Sequence, residues 1–229
     1  MPRSIAQQSV EQLGGESSIL TRQRRDHAEL DRLMRLYESA SLTLPQRQEV
    51  LADIVQLTFS HAFAEEAVLW PALRRLAPDG EELTSRVEDE HQRISELVAE
   101  IGSLDPAESR HDELVGAAFA LIRQDIRDEE DLLLPRLQEA LAHEPARLRR
   151  LGSAWEVVRR TAPTRPHPAV PRRPPGNALA AVPLSALDRA RDMLAATTTD
   201  VPRGRLVAAA LGAAAAAAWV TTAVLRRRR

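Results

Sequence analysis

Between residues 18 and 160 the apolar positions recur at spacings of three and four, the pattern of helices that bury one face. Leu30, Leu33, Met34 and Tyr37 share one side of a first helix. Pro45 suits a first helical turn and opens a second helix, which the pattern carries to about Leu76. Pro78-Asp79-Gly80 breaks that helix, and Asp79 stands where it can cap a third. The third helix keeps Ile94, Leu97, Val98 and Ile101 on one face. After the break at 102–106, a fourth helix to about His143 turns Leu114, Ala118, Leu121, Ile122, Leu132 and Leu133 inward. A short fifth helix follows Pro145 and runs roughly to Arg160. Four long helices with short joints predict an all-α, up-down four-helix bundle over 18–160.

The flanks read differently. Residues 1–17 are polar, without the apolar core of a secretory signal, so a disordered N-terminus on a cytoplasmic body is expected. Seven prolines in 161–183 make an extended, semi-rigid linker. A short amphipathic helix is expected at 184–200. The stretch 206–225 carries no charge, is rich in Ala, and is followed by four Arg. At 1.5 Å per residue, about 20 residues of helix match a hydrocarbon core of about 30 Å. This C-terminal hydrophobic helix is expected to hold the body at the cytoplasmic membrane. Arg on both flanks gives opposing topology signals, so a span, a surface-lying helix and a peripheral tail all stay open.

Charge sharpens that division. The net of −2 conceals 20 Arg against 30 acids in residues 1–160, and 11 Arg against 3 acids beyond them. An acidic body does not bind nucleic acid by counterion release, whereas a basic tail suits anionic lipid. With no Cys, disulfides, thiol nucleophiles, iron–sulfur clusters and Cys-type zinc sites are excluded. No Ser-His-Asp set, phosphate loop or dinucleotide signature is present. Any chemistry must therefore come from nitrogen and oxygen donors.

Those donors repeat. Offsetting the body by 64 residues aligns DHAELDRL (26–33) with EHQRISEL (90–97), and HAFAEEAVLWP (61–71) with DIRDEEDLLLP (125–135). His27 then matches His91, His61 matches Asp125, Glu65 matches Glu129 and Glu66 matches Glu130. His61 and Glu65 stand one turn apart on one helix face, and Asp125 and Glu129 repeat that spacing. His27 and His91 each precede an apolar stripe, which turns them inward. Imidazole and carboxylate converging from four helices is how bundles hold two iron or manganese ions, with a Glu from each half bridging them. Glu66 and Glu130 read as acids beside the ligands or on the surface, and Asp26 and Glu90 as solvated or capping acids. His111, His143 and His167 have no such pattern, and Trp70 and Phe63 read as packing residues.

As a set, His27, His61-x3-Glu65, His91 and the x3-Glu129 spacing resemble the hemerythrin-like HHE cation-binding family over about residues 18–160. The linker is similar to the tail that follows this domain in many actinobacterial members. The resemblance implies a hemerythrin-like bundle with a non-haem di-iron site, Mn being the alternative metal. It also implies one of the family's roles: binding O2, sensing O2, nitric oxide or iron, or removing peroxide. One position departs from the pattern, since the family would have His at 125 and Asp stands there. The expected ligand set is then His27, His61, Glu65, His91 and Glu129, with Asp125 binding directly, through water, or not at all. The implied partner is a small oxidant. Whether the chain turns it over as an enzyme, or senses it and signals through its tail to a protein partner, is not decided by the residues.

Overall fold

The computed structural model describes residues 3–162, and all regular structure among them is helical. Helix α1 (Ile19–Glu38) is followed by α2 (Leu44–Ala64), which passes through a π-helical turn (Glu65–Leu69) into α3 (Trp70–Leu76). The second half repeats this plan with α4 (Gly80–Ile101), α5 (Ser109–Asp128), a π-helical turn (Glu129–Leu133) and α6 (Leu134–Ala140). Helix α7 (Pro145–Thr161) packs on α1, on α2 and on the first π turn.

The buried apolar residues form two clusters. One gathers Ile19, Leu20, Leu69, Trp70, Val87, Leu133 and Leu137, and the other Leu30, Met34, Ile54, Ile94, Ala118 and Ile122. Along α1 the chain passes from the first cluster to the second, along α2 back again, and α4 and α5 repeat the circuit. That alternation is the up-down bundle. Between the clusters, on every one of these helices, lies a buried polar level containing His27, His61, Glu65, His91, Asp125 and Glu129.

Both π turns stand at the same place in the repeat and precede Pro71 and Pro135. Proline cannot donate within a helix. Here the ladder has already widened to i→i−5, with Trp70 N–H donating to Glu65 C=O and Leu134 N–H to Glu129 C=O. The widened turn shifts the helical phase. Leu132, expected on the buried side, is 38% exposed for this reason, while Leu133 is buried.

Three other expectations are corrected. Residues 3–17 are not disordered: Ile5 and Leu13 are fully buried in the first cluster, and Arg24 donates to the Gln8 carbonyl. The two apolar side chains and Gly14 and Gly15, at φ 91° and 92°, fold this segment back over α1. Asp79 sits at the N-terminus of α4 but does not cap it, because its carboxylate pairs with Arg136 at 2.8 Å. The fourth long helix ends at Ala140 rather than His143. The Pro-rich linker, the amphipathic helix at 184–200 and the hydrophobic helix at 206–225 fall outside the described residues, apart from Thr161 and Ala162. Among the described residues no helix is long and apolar enough to cross a membrane.

Candidate metal centre

Six side chains that the repeat singled out meet in the polar level. His27 Nε2 and His61 Nε2 face each other at 3.2 Å. Glu129 Oε2 lies 3.1 Å from the first and 4.0 Å from the second, and Glu65 Oε1 lies 3.1 Å from His61 Nε2. At the other pole His91 Nε2 faces Asp125 Oδ2 at 3.5 Å, Glu65 Oε2 at 3.7 Å and Glu129 Oε1 at 3.8 Å. Each of the two glutamates thus divides its oxygens between the poles. The donor atoms of His27, His61, Glu65 and Glu129 lie within 4.8 Å of one another, as do those of His91, Asp125 and Glu129.

The outward nitrogen of each imidazole is held by a carboxylate. His27 Nδ1 meets Glu130 Oε1 at 2.9 Å, His91 Nδ1 meets Glu66 Oε1 at 3.0 Å, and His61 Nδ1 meets Asp26 Oδ2 at 3.3 Å. An Nδ1–H donated outward leaves Nε2 as a lone pair aimed inward, the tautomer of a metal-ligating histidine. The first two pairs are reciprocal across the repeat, since residue 130 of one half holds the histidine of the other. Asp26 is therefore neither free in solvent nor a cap: it joins His61 to Arg159 Nη1, 3.5 Å away on α7. Glu90 is not a solvated residue either, being 8% exposed beside Asp125 and Asp128. Position in the sequence could have flagged all four, because Asp26, Glu66, Glu90 and Glu130 each adjoin a ligand-pattern residue.

The electrostatics are those of buried imidazoles and carboxylates that set one another's charge. Burial disfavours charge on His27, yet its contacts with Glu129 and Glu130 outweigh this and raise it to about 9. His61 and His91 are likewise held well above the usual imidazole range, burial being outweighed chiefly by Glu65 and Asp26 for His61 and by Asp125 for His91. Glu65 and Glu129 each feel the other's charge. Burial opposes charge on Glu129, but the three imidazoles hold it well below the carboxylate range. Burial and the charge on Glu129 together push Glu65 up to about 7. Burial also raises Asp125. None of the four oxygens of Glu65 and Glu129, nor Asp125 Oδ1, makes a well-aligned hydrogen bond among the described residues. Buried carboxylates cost several kcal/mol each unless a cation joins them, a charge that protonated imidazoles supply here and that bound metal would supply in the protons' place. The donor set therefore fits metal cations, with His27, His61, Glu65 and Glu129 facing one pole, and His91, Asp125 and the same glutamates facing the other.

The surroundings exclude water while leaving an approach. Trp155 on α7 stacks edge-on against His61, ring centroids 5.4 Å apart, and Trp70 is fully buried below. A surface cleft of about 610 Å³, bordered by Arg24, Arg25, Ala28 and Ile126, reaches His27 and Glu130. Of the remaining histidines, His111 is buried on α5 in the half of the bundle away from this level, and His143 is exposed beyond α6. Neither joins the cluster; His167 falls outside the described residues.

Bundle and site together define a helical metal-cation-binding domain built on imidazole and carboxylate. The sequence profile of the hemerythrin HHE cation-binding domain matches residues 18–137, more than half of the chain, and the chain belongs to that family. It is also 26% identical over 135 residues to an uncharacterized hemerythrin-like protein of Schizosaccharomyces pombe, covering 58% of this chain. The match spans 66% of that protein's length, just under two thirds. No solved structure matches.

Proposed function

We propose that the chain is a non-haem di-metal protein, iron being the preferred metal and manganese the alternative, that binds or reduces a small oxidant such as O2, peroxide or nitric oxide. The observation that carries this reading is the division of Glu65 and Glu129 between two poles, which suits two cations sharing both carboxylates. His27, His61, Glu65 and Glu129 would hold one ion, and His91, Asp125 and the same glutamates the other. When bound, the ions supply redox chemistry and an open position for a small ligand.

The protein's own residues do the rest. Glu130, Glu66 and Asp26 fix the imidazole rings and aim Nε2 at the centre, where a bound cation would take the place of its proton. The apolar clusters above and below exclude water, and the cleft over His27 admits something small. Asp125 makes its pole more anionic than an imidazole would. An anionic pole favours the higher oxidation state of iron and so opposes simple release of bound O2. Iron-loaded protein taken through cycles of oxygenation and deoxygenation tests this point: an optical spectrum that does not return to its starting form is expected, and full reversibility overturns it.

The rival reading is a sensor or iron-binding module that reports through its tail. It is favoured by the contact of α7 with the centre, because Arg159 and Trp155 join His61 and Asp26 to the helix that leads into the linker. Continuous peroxide consumption by the purified iron form supports an enzyme. Stoichiometric oxidation without turnover supports the sensor.

A further inference from the structure

Gln23 stands one turn before His27 on the same face of α1 and is fully buried. A helical side chain leans back over the preceding turn, so the His27 ring lies over the turn that carries Gln23. Neither Oε1 nor Nε2 of the Gln23 amide has a hydrogen-bond partner among the described residues. Burying an amide in this way is costly, and folded chains rarely do it without a use for the group. The fold itself does not ask for one. The 64-residue relation puts Val87 at the matching place on α4, and Val87 is fully buried in the first apolar cluster.

A second unpartnered group lies alongside. Arg22 pairs with Glu156 at 3.1 Å and Asp26 with Arg159 at 3.5 Å, so α7 runs along α1 in the same direction. Trp155 thereby comes level with the turn that carries Gln23. Its indole N–H is buried with no acceptor among the described residues, while its ring meets His61 edge-on. The His27 and His61 rings are 5.0 Å apart. Gln23 and Trp155 thus border this imidazole pair from α1 and α7, and together they offer N–H donors and one carbonyl acceptor. With cations in the centre, its imidazoles and carboxylates are committed to them. The amide and the indole remain to address whatever else binds.

We infer that Gln23, seconded by the indole N–H of Trp155, is a hydrogen-bonding subsite for the small ligand of the His27–His61 pole, and that it selects ligands able to accept a hydrogen bond. This rests on the di-metal reading of the centre. An anion or a hydroperoxide accepts from N–H groups through its lone pairs, and a hydroperoxide can also donate its own hydrogen bond to Gln23 Oε1. Neutral nitric oxide is a poor acceptor and gains little. The apolar Val87 offers no such help at the matching place, so the selection belongs to one pole only.

Optical titration of the iron-loaded full-length chain tests the inference, with azide added to the oxidised protein and nitric oxide to the reduced. Gln23→Met keeps the length of the side chain and removes both hydrogen-bonding atoms. It is expected to weaken azide by about tenfold, the loss of one hydrogen bond to a charged ligand, and to shift the azide stretching band in the infrared. Nitric oxide affinity and metal content should equal those of the wild type. Trp155→Phe keeps an aromatic ring against His61, removes only the N–H, and should weaken azide in the same direction. The metal-free Gln23→Met chain should melt at or above the wild-type temperature, because an unpaired amide has left the interior. Unchanged azide affinity in either variant overturns the subsite. So does an equal loss of azide and nitric oxide, which would mark a general distortion, or a lower melting temperature of metal-free Gln23→Met, which would make the amide a support of the fold. A wild-type chain that takes up no iron overturns the di-metal reading and the subsite together; normal iron uptake with unchanged azide binding in the variants removes only the latter.

Discussion

Glu130 meets the Nδ1 of His27 at 2.9 Å across a separation of 103 residues, joining the π-helical turn of the second half-bundle to the first helix of the other. The carboxylate holds the ring and sets its tautomer. Glu130→Gln keeps an acceptor but removes the charge, and by that route metal affinity falls by about 10–100-fold, the usual cost of losing such a support. Glu66→Gln should do the same through His91. Competition against a chelator of known affinity measures both, and unchanged affinity would mean that the rings are held by packing alone.

On the di-metal reading, loss of Glu129 and loss of Asp125 should look different. Glu129 faces all three imidazoles and both poles, so Glu129→Ala is expected to strip metal from the whole centre. Asp125→Ala should weaken only the His91 pole and leave roughly half the metal content of the wild type. Elemental analysis after loading separates the two. Asp125→His should retain full metal content and move the optical changes on oxygenation toward reversibility.

The metal-free protein should lose stability as the solution becomes alkaline. His27 is raised to about 9 in the folded chain against an ordinary 6.5, so its contribution is complete below about 6.5 and lost as pH rises through 9. Glu65, raised to about 7 from 4.5, has the same sign, with its contribution complete below about 4.5 and lost as pH rises through 7. The melting temperature of the metal-free chain is therefore expected to fall between pH 5 and 9. In the loaded chain the cations take the place of those protons, so the decline should flatten and loading at pH 6.5 should release protons. Calorimetric melting and metal titration in weakly buffered solution give the two readouts.

Gly152 is where α7 touches the chain leading into α1. A Cβ there would lie 2.5 Å from the Ser17 carbonyl oxygen, a contact with backbone that cannot swing aside. Gly152→Ala should destabilise the fold by about 1–3 kcal/mol, in the range of overpacked sites. It should also lift Trp155 from His61. Denaturant unfolding measures the first effect, and a shift in tryptophan fluorescence on metal binding reports the second.

Much of this architecture is legible in the residues. The helices follow from apolar spacing, and the inner ligand pattern follows from the repeat, because i and i+4 fix a shared face whatever the neighbours do. What the spacing could not supply was phase beyond the π turns, which is why Leu132 turns outward. Nor could it say which neighbouring acid an imidazole meets, since Asp26, Glu66 and Glu130 find their histidines on other helices. Residues 3–17 failed for a simpler reason: Ile5 and Leu13 are two apolar side chains in a polar stretch, and only the groove beside α1 shows where they go.

The duplicated plan carries one last consequence. In a symmetric dimer of two-helix chains, positions 61 and 125 would be one residue, and any change there would fall on both poles of the centre at once. Joining the halves into a single chain uncouples them. On the di-metal reading, one ion could then keep an imidazole while its neighbour takes an aspartate, and the difference between His61 and Asp125 is an asymmetry that a dimer of identical halves cannot encode.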